Sequence, residues 1–302
     1  MPTLSVFTDV PMAQKLEGSL LKTYKQDDDP NKMFLAYKVC MTSEGRPWVS
    51  SVVRKTRMQI AQDPSLNYEY TPVMGMKSFI QASLNLLFGK NSQVIVENRG
   101  KEIFPFFDIP YQGLSTGDLE EDAIFLHYFV SQGFEFFCSQ SLSKNFGIYD
   151  EGVGTLVVVA LNNQLLLRVL SQLTNFARAL WLNPPTTGAR IITSVLCNPA
   201  MQGEWRQSLE GVVENIMMTK EKVKEKLRLL GTPGSWDHIT EQKGSHSYLG
   251  LNSQQVEYLI SKKHIYIPKN GRINFTCINS YNIDYITASI NEAVCFTKDS
   301  EK

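Results

Sequence analysis

The 302-residue chain lacks a net charge: thirty basic and thirty acidic side chains cancel. A neutral surface argues against partners that select a large basic face, such as nucleic acid or an anionic membrane. No CxxC pair occurs. The five cysteines, Cys40, Cys138, Cys197, Cys277 and Cys295, are scattered and odd in number. That favours reduced thiols over a disulfide framework or a zinc site. The four histidines, His127, His238, His246 and His264, show no ligand spacing, so no metal is expected. Long apolar stretches are missing as well, and the longest, Val153–Leu161, is far short of a membrane span. The opening residues, MPTLSVFTDVPMAQ, contain neither a basic leader followed by an apolar run nor an Arg-rich amphipathic pattern. A soluble cytoplasmic protein is the expectation these absences leave.

With 43% hydrophobic residues the chain can bury a large core and is long enough for two domains. Residues 1–14 have mixed polarity without period and read as an extended arm, and Asp27-Asp28-Asp29-Pro30 as a turn. Helical spacing covers Lys55–Ala61, Met76–Leu87, Leu119–Gly133 and Leu165–Leu180. A long amphipathic helix is expected from Glu204 to Leu230, stopped by Gly231. Short apolar runs at Glu102–Asp108, Phe134–Cys138 and Gly154–Leu161 alternate with these helices, the pattern of a mostly parallel sheet with crossover helices. Further on, His246–Leu251 reads as strand and Ser253–His264 as helix. Ile265–Phe275 reads as a strand pair about Asn270-Gly271, and Ser280–Val294 as a closing helix.

Composition and period end at an α/β protein; the chemistry is local. Ser-Gln-Ser-Leu-Ser-Lys-Asn-Phe-Gly, residues 139–147, follows directly on an apolar strand. A lysine just past a strand's carboxyl end stands where α/β proteins place ligands, and its amine could condense with an aldehyde. SxSKNFG here, with FFDxxYQG at 106–113, is similar to the active-site region of the aspartate aminotransferases. The likeness continues through RPWVSSVVRK (46–55), SLNYEYTPVMG (65–75), RVLSQ (168–172), NPPxxGAR (183–190), WDHITEQ (236–242), NSQQVEYL (252–259) and GRIN (271–274). On these segments the chain resembles the cytoplasmic-type aspartate aminotransferases of the class I pyridoxal-phosphate-dependent family, nearest to their like-1 paralogue.

The resemblance implies a fold-type I transferase. It would have a large cofactor domain over residues 48–211 and a smaller α/β domain combining 15–47 with 212–302. It implies a homodimer and small dicarboxylic amino and keto acids as substrates, the amino group passing between L-aspartate and 2-oxoglutarate. Lys144 would bond the aldehyde of pyridoxal 5'-phosphate and move the substrate's α-proton. Asp108 would pair with the ring nitrogen, Tyr111 with the ring's phenolic oxygen, and Ser141 with the phosphate. Tyr70 would reach the phosphate of the neighbouring subunit. Arg272 would clamp the α-carboxylate, Arg178 would cross the interface to the side-chain carboxylate, and Asn183 would complete that interface. A guanidinium fork suits a carboxylate because it bonds it bidentately.

Three departures accompany the likeness. Asn98-Arg99-Gly100-Lys101-Glu102 joins two segments that the family separates by a long stretch. At about thirty residues per βα unit, on the order of a hundred residues are absent. That stretch would hold the family's glycine-rich phosphate loop at a helix N-terminus, the tryptophan on the ring and the asparagine at the ring oxygen. Gly152 stands where the family has a phosphate-gripping arginine, and Lys38 where it has glycine. A truncated large domain, its sheet edges and apolar helix faces open to solvent, is therefore expected. The alternatives to an active transaminase are a catalytically inactive homologue acting as a dimerisation or interaction partner, and a non-functional internally deleted form.

Overall fold

The computed structural model describes residues 19–66, 71–72, 75–88, 105–160, 162–184 and 186–299. The first part carries α1 (Ser19–Gln26), β1 (Met33–Phe34), α2 (Ser51–Gln62) and α3 (Lys77–Phe88). The middle carries β2 (Phe106–Ile109), α4 (Ile124–Ser131), β3 (Phe136–Ser141) and β4 (Gly154–Val159), then α5 (Asn163–Leu180), α6 (Thr187–Leu196) and α7 (Pro199–Leu229). Last come α8 (His238–Glu241), β5 (His246–Tyr248), α9 (Ser253–Lys263), β6 (Ile265–Tyr266), β7 (Arg272–Asn274) and α10 (Ile283–Asp299).

The main sheet has the order β2-β3-β4. β2 and β3 are parallel, as a connection through a helix requires, whereas β4 returns antiparallel through the turn that carries Lys144. The sheet is therefore mixed, with one parallel and one antiparallel pair where a mostly parallel sheet is expected. Leu87, Ile109, Ala123, Leu126, Phe136 and Cys138 form the core beneath it. A buried amide relay crosses the strands: Gln140 donates to Gln112 Oε1 at 2.7 Å and Thr155 donates to Gln140 Oε1 at 3.2 Å. Gln112 in turn donates to the carbonyls of Leu86 and Leu119. Among the described residues β2 and β4 pair with β3 alone, and apolar side chains near them face water: Phe106 is 61% and Leu156 51% exposed. On α5, amphipathic by sequence, no residue is buried.

The long helix starts at Pro199, ahead of the expected Glu204. Asn198 accepts from the Ala200 and Met201 amides, and proline suits the first helical position because its missing N–H would have no partner there. The expected strand pair about Asn270-Gly271 does not form. The turn itself is present, with Gly271 at φ +70°, but its flanks pair outward: β6 runs parallel with β1 and β7 antiparallel with β5. The segment after β1 separates them, since Leu35 donates to Tyr266 O and accepts from Asn274 N. Helix formation in 119–133 starts only after a tighter turn at Glu121–Ala123.

Two larger cores flank α7. One gathers Val52, Val53, Leu142, Phe146, Ile191, Ile192, Trp205 and Leu209, with the Phe146 and Trp205 rings stacked at 4.4 Å. The other gathers Leu35, Val223, Leu227, Ile267, Ile273, Phe275 and Ile286. Val212 packs against both, so a single helix ties the two halves.

Candidate active site

Lys144 sits in the turn that closes β3. The turn is held from below: Leu142, Phe146 and Ile148 are buried, and Trp205 Nε1 donates to Asn145 O at 2.9 Å. Gly147 has φ +67°, and a Cβ there would lie 2.7 Å from Trp48 O, so this close approach needs glycine. Ser143 adds hydrogen bonds from its hydroxyl to the carbonyls of Glu151 and Val153. With both neighbours pinned, the half-buried Lys144 side chain projects over Tyr111, its Nζ 5.0 Å from the ring centroid.

Tyr111 follows β2 and donates to the Lys38 carbonyl at 3.5 Å. Burial raises its pKa, against the pull of the Arg272 and Lys38 charges, so the phenol stays protonated. Asp108 lies in register with Ser139 on the adjacent strand and accepts its hydroxyl at 2.6 Å. Its carboxylate is exposed to solvent at the edge of the sheet. Ser141 ends β3 opposite Gly154, half-buried. Tyr111 and Lys144 therefore meet, with Asp108 and Ser141 near the ends of neighbouring strands and the Arg272 charge acting on the Tyr111 phenol.

Other expected site residues lie apart. Arg178 is exposed on α5, and among the described residues it makes no ion pair. Asn183 donates to Thr71 O at 2.7 Å, bracing the turn after α5. Tyr70 lies outside the described residues, as does the seam at Gly100-Lys101. At Gly152 an added Cβ would meet nothing within 4 Å, so packing does not demand glycine there.

The sequence reading missed several members. His246 stands with its ring 6.1 Å from that of Tyr111, and Tyr149 bonds the Cys40 amide through its hydroxyl at 3.3 Å. The β5–β7 register sets His246 opposite Asn274 and Tyr248 opposite Arg272, all on one face. Burial, followed by the Arg272 charge, lowers the His246 pKa to about 4, so the imidazole is neutral at pH 7. The period of two within GRIN was the available signal for Asn274, two residues beyond Arg272.

Residues 93–290 match the family described as Aminotransferase class I and II. A Bos taurus protein named "Putative aspartate aminotransferase, cytoplasmic 2" is 71% identical, with 100% of each chain covered. That alignment runs over 407 positions against 302 residues here, so a little over a hundred positions of the relative have no counterpart. The Gallus gallus protein named "Aspartate aminotransferase, cytoplasmic" is 31% identical, over 96% of this chain and 98% of its own. Among solved structures, the aromatic-amino-acid aminotransferase from Burkholderia pseudomallei, covalently bound to pyridoxal phosphate, superposes with a TM-score of 0.89. It is 22% identical and covers 96% of this chain and 100% of its own, a likeness of fold.

Proposed function

Because the chain belongs to the class I and II aminotransferases, we propose that it is an aspartate aminotransferase by lineage, using pyridoxal 5'-phosphate at Lys144 to exchange an amino group between L-aspartate and 2-oxoglutarate. The observation that carries this reading is the Lys144 amine over Tyr111 at the end of β3, with Asp108 on the neighbouring strand end. We take residues 48–211 as the large domain and 15–47 with 212–302 as the small one; the separate cores on either side of α7 support that division. Residues 1–14 remain the arm of this reading, and a cytoplasmic location agrees with the relatives' names.

The donor set suits the aldehyde and ring of the cofactor and suits its phosphate poorly. An amine stands over a phenol with a carboxylate on the adjacent strand end, but Gly152 opens onto empty space and Ser141 offers a neutral hydroxyl. When bound, the cofactor supplies an aldehyde and a ring that withdraws electrons from the substrate's α-carbon. The chain's residues have separable tasks. Lys144 holds or moves a proton at Nζ, and Asp108 presents a carboxylate oriented by Ser139. Tyr111 offers a protonated phenol, and Arg272 fits a carboxylate. Arg178 and Tyr70 would complete the site from a second copy, and the exposed apolar side chains of α5, Phe176 and Leu180 among them, support a homodimer.

A second reading, the catalytically silent partner, is favoured by Gly152 and by the two sheet edges that have no partner among the described residues. One experiment separates them. The chain is mixed with pyridoxal phosphate, reduced with borohydride and mapped by peptide mass, beside Lys144→Ala. The first reading expects a dominant adduct on Lys144, with aspartate-dependent amino transfer to 2-oxoglutarate that the variant loses. Adducts spread evenly over surface lysines would leave the silent partner.

A further inference from the structure

Residues 37–41 cross between the two halves of the molecule as a strap whose backbone is held largely by side chains. On one side, Asn274 Nδ2 donates to Tyr37 O at 2.9 Å and to Val39 O at 2.8 Å. Asn274 Oδ1 accepts from the Thr276 amide and hydroxyl at 3.1 and 2.8 Å, and that hydroxyl oxygen accepts from Met41 N at 3.0 Å. The amide orientation is forced, since a flip would set Oδ1 against two carbonyls. His246 Nε2 adds a second donor to Tyr37 O at 3.2 Å. Because a carbonyl only accepts, Nε2 carries the proton, and Nδ1 accepts from Ser245 Oγ at 3.0 Å. On the other side of the strap, Tyr149 bonds the Cys40 amide and Tyr111 donates to Lys38 O.

We propose that His246 and Asn274 are positioning residues for the Lys144 site: they fix the Tyr37–Val39 peptides so that the Lys38 carbonyl holds the Tyr111 phenol, and with it the ring beneath the Lys144 amine. The inference deepens the reading of the site given above. Asn274 is fully buried and spends all of its amide capacity on this strap and the turn after it. Removing it leaves Val39 O without its donor and Tyr37 O with one. Losing the His246 donor alone is a smaller change, because Asn274 still bonds Tyr37 O.

The test reads Lys144 without any cofactor. Intact chain is acetylated with trace acetic anhydride, and labelling of Lys144 is divided by that of the exposed Lys262 on α9, a helix of the other core. His246→Phe keeps an aromatic ring and removes the donor, whereas His246→Gln restores an N–H. His246→Phe should raise the ratio by about threefold as the ring leaves the amine, with the melting temperature held. His246→Gln should return it to the parent value, and Asn274→Ala should exceed His246→Phe. An unchanged ratio in His246→Phe and Asn274→Ala overturns the proposal. So does a ratio that rises equally in His246→Gln, or only together with loss of folding. Failure to trap pyridoxal phosphate at Lys144 would strike the functional reading and leave this ratio readable.

Discussion

Around the second half of α7, Val223, Leu227, Ile267, Ile273, Phe275 and Ile286 are fully shielded, whereas around β2 and β4, Phe106, Ile124, Tyr128 and Leu156 are each more than half exposed. The first region is assembled from segments at both ends of the chain: β1 and Leu35 from the start, β5 to α10 from the finish. Its short strands are covered by α7, α9 and α10. The second is a sheet of three strands whose outer edges have no partner among the described residues. The bovine relative carries a little over a hundred further positions, room for the strands such a sheet would need. An α/β sheet is normally covered on both faces, and α5, which follows β4 in the chain, has no buried residue.

The sharpest way to break this contrast is a pair of truncations. Phe275→Ala in the complete core should cost about 3–5 kcal/mol in urea unfolding, while Phe106→Ser at the open edge should change stability by less than about 0.5 kcal/mol. Equal costs would mean that the edge is covered. Next in size is a pair of glycines two residues apart. At Gly154 a Cβ would lie 2.4 Å from Gln140 O, so Gly154→Ala should destabilise by about 1–3 kcal/mol through crowding in the ladder. Gly152 opens onto free space, so Gly152→Arg should leave the melting point unchanged. If it reaches the phosphate, it should tighten pyridoxal phosphate by about tenfold or more, as one charge-assisted hydrogen bond allows. Tight binding by the parent chain, with no gain from the arginine, would reveal another anchor. The smallest stability effect belongs to α5. Phe176 and Leu180 are 62% and 71% exposed, and replacing both with serine should move unfolding by less than about 0.5 kcal/mol. It should nonetheless lower self-association in sedimentation velocity; no change would show that this face is not where copies meet.

Much of this frame was legible. The apolar run before residue 139 gives β3, and Gly231 follows the end of α7. Asn252 and Gln255 form the reciprocal cap that starts α9. Lys144 stood out because SxSKNFG, with FFDxxYQG upstream, resembles the aspartate aminotransferase active-site region; its place beyond a strand would not have marked it by itself. His246 did not, because its partner Tyr37 is 209 residues away and nothing in its own neighbourhood marks it. The strand pair about Asn270-Gly271 misled for a related reason: the turn is genuine, but better partners arrive from residues 33–35 and 246–248.

The sequence alone determined where helices and strands form, which faces of them are apolar, and that a lysine, an acid and a tyrosine stand at strand ends. Those follow from periodicity, capping and turn chemistry, which act within a few residues. Only the tertiary structure decided which strands pair, that Asp108 lies exposed beside Ser139, and that His246 and Asn274 hold the strap over Tyr111. These depend on contacts between segments far apart in the chain, whose pairing is set by competition among many possible partners and not by any local pattern.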